Sequence, residues 1–256
     1  MKKLIFTLLI AASTGLNAQI MVVNEIETES QDNFSTTLTQ WMTAIKSTLE
    51  IDDAKTYTFA EPGSKKIQFL QFYESLTEMV EFRKNQDENQ EKIWATLQNM
   101  EPLPEGTIDT FNNVTSFKES SVWEFMPELS TTPETWSILS KTEKDEFFYR
   151  RIQYVNVKMN QDMAYEAWNK KMNALDKKLG ISYHFAIFKS VFGAKDADYM
   201  VVCIDKTQFD YFSNWEKRTE IREQSDEYKT LVSELSTSNW SLISEFTWNR
   251  ILELTF

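Results

Sequence analysis

The chain consists of two similar halves, and this internal duplication constrains its fold more than any other feature. Aromatic residues of the first half recur 125 to 127 positions later, in three pairs: Trp41 and Trp168, Phe59 and Phe185, Trp123 and Trp248. The offset changes by only two residues across the whole half. We therefore expect both halves to adopt the same fold.

Each half also predicts the same order of elements: strand, helix, two strands, helix and strand. In the first half, apolar residues at spacings of three and four over 34–49 indicate an amphipathic helix. Ser75 and Glu78 match a capping box, which predicts a second helix running to about Met100. The strands expected in this half are 20–28, 55–61, 66–73 and 121–126.

The second half repeats this order of elements. Its first helix carries apolar residues from Tyr165 to Leu179 on one face and stops at Gly180, the residue type favoured just past helix ends. Thr207 begins the second helix with a similar capping pattern. The strands expected in this half are 147–159, 181–188, 199–204 and 245–254.

This βαββαβ order, present twice, predicts an α+β protein made of two tandem ferredoxin-like units. Such a unit has an antiparallel sheet with both helices on one face, which leaves the other face uncovered. The predicted strands carry apolar residues on both of their faces, as the segment 147–157 shows. We therefore expect the two sheets to pack face to face as a pseudo-dimeric α/β barrel, closed or nearly closed, with the helices outside.

In its element order, its aromatic helix positions Trp41 and Trp168, and its closing strands at Trp123 and Trp248, the sequence resembles the dimeric α/β-barrel superfamily. That superfamily includes antibiotic-biosynthesis monooxygenases and NIPSNAP-like proteins. The resemblance is architectural and covers nearly all of the chain after residue 18. It implies a ligand site in the barrel interior, and it implies a cofactor-free monooxygenase or a haem-dependent activity as alternatives.

The first 18 residues have the parts of an export signal. Lys2 and Lys3 precede the apolar run 4–12, and small residues end the segment at Ala18. The apolar run is shorter than the roughly 17 to 25 residues that a membrane anchor needs. We predict cleavage before Gln19 and a bacterial protein that is periplasmic or secreted and not inserted in the membrane.

The expected domain boundaries follow from the signal and the duplication. They are 1–18 for the signal peptide, 19–130 for the first ferredoxin-like unit, 131–145 for a linker and 146–256 for the second unit. The linker is mostly polar, although Trp136, Ile138 and Leu139 suggest a turn of helix docked on the barrel.

Charge and composition exclude several classes of function. The net charge is −12, and it becomes −14 if Lys2 and Lys3 leave with the signal peptide. Such a surface repels nucleic acid and anionic membranes, so neither is expected as a partner. Cys203 is the only cysteine, which excludes an internal disulfide.

Motifs for common catalytic chemistries are missing from the sequence. His184 is the only histidine, so zinc sites with two histidines are excluded and no metal site is predicted. The chain has no glycine-rich phosphate loop and no Gly-x-Ser-x-Gly motif. Conventional nucleotide-binding and serine-hydrolase chemistry is therefore not expected.

His184 is itself a candidate functional residue, and two interpretations stay open. It lies within the predicted strand on the opposite face from Tyr183 and Phe185. It is either a structural histidine bonded within the sheet, or an inward-pointing group that binds haem or transfers a proton near neutral pH. Thr58 is its counterpart in the first half, so a symmetric pair of sites is not expected.

Charged residues inside predicted strands are further candidates, because a buried ion needs a partner or a ligand. These residues are Glu124, Arg250, Arg150 and Arg151. Asn249 and Phe125 are the repeat counterparts of the first two, as expected if one of two equivalent pockets has become specialised. Strand-edge charges and surface ion pairs are the alternative interpretation.

Taken together, these features predict an exported protein that binds a small, largely apolar molecule in the barrel interior, with the five strand residues above as candidate contacts. No cofactor is expected on this interpretation. The alternatives are a cofactor-free or haem-dependent oxidoreductase, and a structural or interaction module with a packed barrel. The sequence leaves open whether the protein is an enzyme, and whether it is a monomer with pseudo-dimeric halves or a homodimer.

Overall fold

A computed structural model describes residues 20–52, 54–100, 112–113, 115–194, 196–235 and 240–256. The predicted signal peptide lies outside these residues, so its cleavage and the export of the protein stay predictions. Residues 101–111, which follow the second helix predicted in the first half, lie outside them as well.

The first half contains four strands and three helices within the described residues. They are β1 (Ile20–Thr28), α1 (Gln31–Leu49), β2 (Thr56–Ala60), β3 (Lys66–Tyr73), α2 (Leu76–Glu88), α3 (Gln90–Asn99) and β4 (Thr115–Phe125). Ser75 caps α2 as predicted, because its Oγ accepts a hydrogen bond from the backbone N–H of Glu78 at 3.1 Å. The single helix expected up to Met100 is instead two helices that break at Asn89.

The linker and the second half follow. The elements are α4 (Thr132–Thr135), α5 (Lys141–Asp145), β5 (Tyr149–Val157), α6 (Asp162–Lys178), β6 (His184–Phe192), β7 (Tyr199–Asp205), α7 (Gln208–Glu223), α8 (Asp226–Leu235) and β8 (Trp240–Ile251). Short 3-10 turns, Pro127–Leu129 and Leu252–Leu254, follow β4 and β8.

The closing strands are longer at their start than predicted. β4 begins at Thr115 and not at Ser121, and β8 begins at Trp240 and not at Glu245. The added residues are mostly exposed, so their hydrophobic pattern gave no signal. They are held as strand by backbone pairing with β1 and β5.

The eight strands form one closed barrel in the order β1-β3-β2-β8-β5-β7-β6-β4. Within each half, the closing strand pairs with the first strand, the first with the third, and the third with the second, as in a ferredoxin-like unit. The halves join where β2 pairs with β8 and where β4 pairs with β6. The prediction of two sheets closed into a barrel is confirmed.

Gly193 lies just past β6, beside the β4–β6 junction, where the chain needs a glycine. Its φ of +79° is in the left-handed region, and a Cβ atom there would collide with the carbonyl oxygen of Ser120. A side chain at this position would therefore push the two halves apart.

Side chains fill the barrel interior. Every strand contributes at least one buried residue to a single cluster: Met21, Phe59, Leu70, Trp123, Ile152, Ala186, Met200 and Trp248. Trp123 stacks on Tyr154 with ring centroids 5.5 Å apart and planes only 4° from parallel. The interior is thus an aromatic-rich core.

Helices cover the outer faces of the sheets. On the first half, α1 and α3 pack Phe34, Ile45 and Ile93 against Ile26 and Ile67. On the second half, α6 packs through Tyr165, whose ring centroid lies 4.5 Å from that of Tyr199. None of the helices in the described ranges is long and apolar enough to cross a bilayer.

Candidate functional site

The strand ladder of the second half brings two predicted site residues to one end of the barrel. His184 on β6 lies opposite Ile204 on β7, and Ile204 lies opposite Arg150 on β5. Neighbouring strands are about 4.8 Å apart, so the backbones of His184 and Arg150 are separated by about 10 Å. Each of the two residues is an even number of positions from a barrel-core residue on its own strand. Because alternate residues of a strand share a face, both side chains lie on the inner face of the sheet.

Arg250 on β8 joins them at this end. Arg150 lies opposite Trp248, and Arg250 lies two residues further along the same face, so the two arginines are diagonal neighbours. The guanidinium of Arg250 lies 5.0 Å from the ring centroid of Tyr57. His184, Arg150 and Arg250 together define what we call the basic end of the barrel.

The linker covers the basic end. The ring of Trp136 lies 5.4 Å from that of His184, and the Arg150 guanidinium lies 5.7 Å from the same indole. Thr135 Oγ1 shares a hydrogen bond of 2.8 Å with His184 Nδ1. The linker turn that was predicted to dock on the barrel does so only in part, because the side chain of Ile138 is exposed.

A recess of about 350 Å³ opens beside His184, between the ends of β6 and β7 and helix α7. We call it the His184 pocket. Its lining includes Tyr183, His184, Asp205, Lys206, Asn214 and Arg218.

Asp205 places a buried carboxylate in this pocket. It ends β7, and its side chain accepts a hydrogen bond from Asn214 Nδ2 at 3.3 Å and one from the backbone N–H of Lys206 at 3.1 Å. Both donors are neutral, and no lysine or arginine of the described ranges forms an ion pair with it. A carboxylate held in this way keeps acceptor capacity for a ligand.

Arg218 places a buried guanidinium in the same pocket. The residue is 8% exposed, and its guanidinium stacks 4.5 Å from the ring centroid of Tyr183. The Tyr183 hydroxyl is in turn held by Asp176, which also pairs with Arg222. Arg218 has no carboxylate partner within the part of the chain that the structure describes, so its N–H groups are available to a bound molecule.

Burial lowers the pKa of His184, and the positive charge of Arg150 lowers it further, although Asp205 acts in the opposite direction. The imidazole is therefore neutral at neutral pH. A neutral histidine with Nδ1 held by Thr135 can accept or share a proton through its other nitrogen.

The other two predicted site residues lie elsewhere. Glu124 is exposed on the outer face of β4, opposite Ile20 and Lys189. Arg151 also points outward, where it pairs with Glu245 and lies over the rings of Tyr211 and Phe212. The structure thus brings together His184, Arg150 and Arg250 and leaves Glu124 and Arg151 on the outer surface.

Sequence reasoning missed Asp205 and Arg218. Arg218 did carry a signal in the sequence, because it lies seven residues after Tyr211 and four after Asn214 on the same helix face, where an apolar residue is usual. Asp205 ends an apolar strand and looks like an ordinary strand terminus in the sequence. Only the position of α7 shows that its carboxylate is buried.

Neither metal chemistry nor thiol chemistry gains support from the structure. The described residues contain no group of three or more histidine, cysteine or acidic side chains placed to hold a metal ion. Burial raises the pKa of the Cys203 thiol to about 11, so it is protonated at neutral pH.

Comparison with known proteins identifies the fold. No protein-family model and no curated protein matches the sequence. Among solved structures, an anthrone oxidase-like protein has a TM-score of 0.50 at 13% identity, over 91% of this chain and 92% of its own. A protein assigned as a chlorite dismutase has a TM-score of 0.50 at 12% identity, over 91% of this chain and 95% of its own. A heme-binding protein from Thermus thermophilus gives 0.50 at 12%, over 92% of each chain.

Haem, which one of these proteins is described as binding, does not fit the His184 pocket. A porphyrin needs broad apolar walls and an accessible axial ligand. The pocket wall mixes charged and polar groups with apolar ones, and Thr135, Trp136 and Phe147 hold the imidazole of His184 in place. This lining suits a smaller and more polar molecule.

At such low identities, these similarities establish architecture and leave function to the site itself. The protein has the dimeric α/β-barrel fold, with two tandem ferredoxin-like units joined in a single chain.

Proposed function

We propose that the protein binds a small polar molecule in the His184 pocket, with Asp205 and Arg218 as the groups that orient it. One observation carries this proposal. A single recess gathers the only histidine of the chain, a buried carboxylate held by neutral donors, and a buried guanidinium stacked on an aromatic ring.

The chemistry of the pocket defines the class of ligand. The guanidinium of Arg218 suits a carboxylate or phosphate group, since charge-assisted N–H···O bonds are the strongest that it makes. Asp205 suits a hydroxyl or amine donor. A volume of about 350 Å³ is at the small end for ligand pockets, which favours a hydroxy acid, an amino acid or a molecule of similar size.

A largely apolar ligand inside the barrel, the first interpretation of the sequence, has less support. Core side chains from all eight strands occupy that space. Such a ligand would have to displace residues such as the stacked pair Trp123 and Tyr154. The pocket outside the core needs no such rearrangement.

The proposal is tested by thermal-shift measurements on residues 19–256 with separate panels of hydroxy acids, amino acids, phosphorylated sugars and apolar aromatics. We expect stabilisation by at least one polar class. Arg218→Met should abolish it, because the variant removes the donor that faces the anionic group.

Lys217→Met is the matched control. Lys217 lies on the same helix but is exposed and does not line the pocket, so the variant removes an equal charge without touching the ligand. Stabilisation that survives Arg218→Met, or that comes only from apolar compounds, would contradict the proposal.

A second candidate function is a cofactor-free oxidoreductase. The lowered pKa of His184 supports it, because a neutral imidazole beside a pocket can act as a general base. The anthrone oxidase-like protein of similar fold also supports it. The test is oxygen uptake with hydroxylated aromatic compounds, which should be lost in His184→Gln and kept in Lys217→Met. Equal uptake by both variants would contradict it.

We also propose that the mature protein is exported and begins near Gln19, on the basis of the sequence of residues 1–18. N-terminal sequencing of the protein from a periplasmic fraction tests this.

Two halves in one chain suffice to close the barrel, so a monomer is expected unless the outer surface supports further pairing. Light scattering distinguishes a monomer from a homodimer.

A further inference from the structure

The basic end of the barrel contains more positive than negative charge. Arg150 is 6% exposed, and the side chain of Arg250 is 5% exposed. Across the described ranges, Asp145 is the one carboxylate that forms an ion pair with either of them, at 3.2 Å from Arg250. Two buried guanidinium groups therefore share one counter-charge, and that carboxylate is itself 35% exposed.

Deprotonation of Arg150 does not remove this excess of positive charge, because arginine stays charged in proteins at neutral pH. Burial and the neighbouring Arg250 both lower the pKa of Arg150, but only to about 9. A buried charge without an opposite charge costs several kcal/mol. The folded protein thus carries a penalty that a second anion would remove.

The two guanidinium groups also have unused hydrogen-bonding capacity. Arg150 donates from one terminal nitrogen to the carbonyl oxygens of Phe147 and Tyr149, at 2.9 Å each. The buried Nε of Arg250 has no hydrogen-bond partner. Neutral carbonyls orient Arg150 without neutralising it, and the Arg250 donor is left unsatisfied.

We propose that this end of the barrel binds a small oxyanion, a carboxylate or phosphate group, between Arg150 and Arg250 beneath Trp136. The site is separate from the His184 pocket, because neither arginine lines that pocket. Planar guanidinium groups on diagonal positions of adjacent strands match the paired oxygens of such an anion. Asp145, supplied by the linker, already fills one part of this role.

Inorganic phosphate is the probe, compared with chloride at equal ionic strength and with thermal unfolding as the readout. Phosphate should raise the Tm of the wild-type chain by about 3 °C or more once the site is filled. Arg150→Met should remove this shift, and its Tm without phosphate should be no lower than that of the wild type, because an uncompensated charge is gone.

Arg151→Met is the matched control. Arg151 is the next residue on β5 but points outward and pairs with Glu245, so the phosphate shift should persist in this variant. Arg218→Met should also keep the shift. Loss of the shift in Arg218→Met, with retention in Arg150→Met, would place the anion in the His184 pocket and overturn this inference alone.

Asp145→Asn decides the question if Arg150→Met does not fold. Removing the one carboxylate increases the charge deficit, so the phosphate-induced rise in Tm should exceed that of the wild type. An equal or smaller rise would contradict the inference, as would a wild-type response to phosphate no larger than that to chloride.

Discussion

The two ends of the barrel carry opposite charges and are neutralised in different ways. At the end opposite the linker, Glu25 lies directly across from Glu119 on β4 and from Gln68 on β3. Gln68 donates to the Glu25 carboxylate at 3.3 Å, and Lys66 pairs with it at 3.3 Å. Burial, together with the two glutamates, raises the pKa of nearby Tyr154.

The comparison shows where the protein needs an outside partner. The acidic end is partly hydrated, since the side chains of Glu25 and Lys66 are 20% and 33% exposed, and its own strands supply the counter-charge. The basic end is deeper, and among the described residues the one carboxylate that pairs with its arginines is Asp145 of the linker. A ligand would therefore gain more at the end that the linker covers.

The largest effect we predict concerns the aromatic layer that separates the two ends. Trp123 is 1% exposed, stacks on Tyr154 and donates from Nε1 to Ser121 at 2.8 Å. Trp123→Ala should lower the free energy of unfolding by about 3 to 5 kcal/mol, because it opens a large cavity and removes a stack. Urea denaturation measures this loss.

The control for that prediction is Trp94→Ala. Trp94 is 36% exposed and contacts Trp41 edge-on outside the barrel. Its removal should cost about 1 kcal/mol or less. Equal losses for the two tryptophans would mean that the interior layer is not the main support of the barrel.

The next effect compares the counter-ions of the two ends directly. Asp145→Asn should destabilise the protein by about 1 to 3 kcal/mol, because it leaves two buried arginines without a carboxylate. Lys66→Gln should cost less than about 1 kcal/mol, since water and Gln68 still solvate Glu25. The two chemical denaturation curves, recorded in chloride without phosphate, give both numbers. A larger loss at Lys66 would reverse the comparison.

A smaller effect is the pH dependence that His184 contributes. Its pKa is lowered in the folded state, so below the ordinary value of about 6.5 the unfolded chain binds a proton that the folded chain does not. This contribution to stability is therefore complete above that pH and is lost as the pH falls. Denaturation of the wild type and of His184→Gln between about pH 7 and pH 5 should show a steeper fall for the wild type. Parallel curves would show that His184 is not perturbed.

The smallest effect concerns the outer attachment of the linker. Lys177 on α6 pairs with Glu134 in the linker at 2.9 Å, but both side chains are more than 70% exposed. Lys177→Gln should change the free energy of unfolding by less than about 0.5 kcal/mol. A loss as large as that of Asp145→Asn would mean that surface pairs, and not the buried arginine, hold the linker in place.

Much of the fold was predictable because the duplication fixed the element order twice. The barrel follows from strands that are apolar on both faces, and Ser75 marked the start of α2 correctly. The early residues of β4 and β8 were missed, because exposed strand ends lack an apolar alternation.

The site was predictable only in part, for a physical reason. Charged residues inside strands stood out in the sequence, but strand phase alone did not decide which face was inner, so Arg150 and Arg151 were equal candidates. Arg218 reaches the pocket from a helix whose distance from the sheet no local pattern encodes. Asp145 matters only because the linker folds back over Arg250.

The imidazole of His184 offers the most direct test of the proposed function, because it is the only histidine and gives one ring signal in proton–carbon NMR spectra. We predict that a polar compound that stabilises the wild-type chain shifts this signal, and that the shift disappears in Arg218→Met while Lys217→Met retains it. A stabilising compound that leaves the His184 signal unchanged, or shifts it equally in Arg218→Met, would show that the ligand does not bind in the His184 pocket.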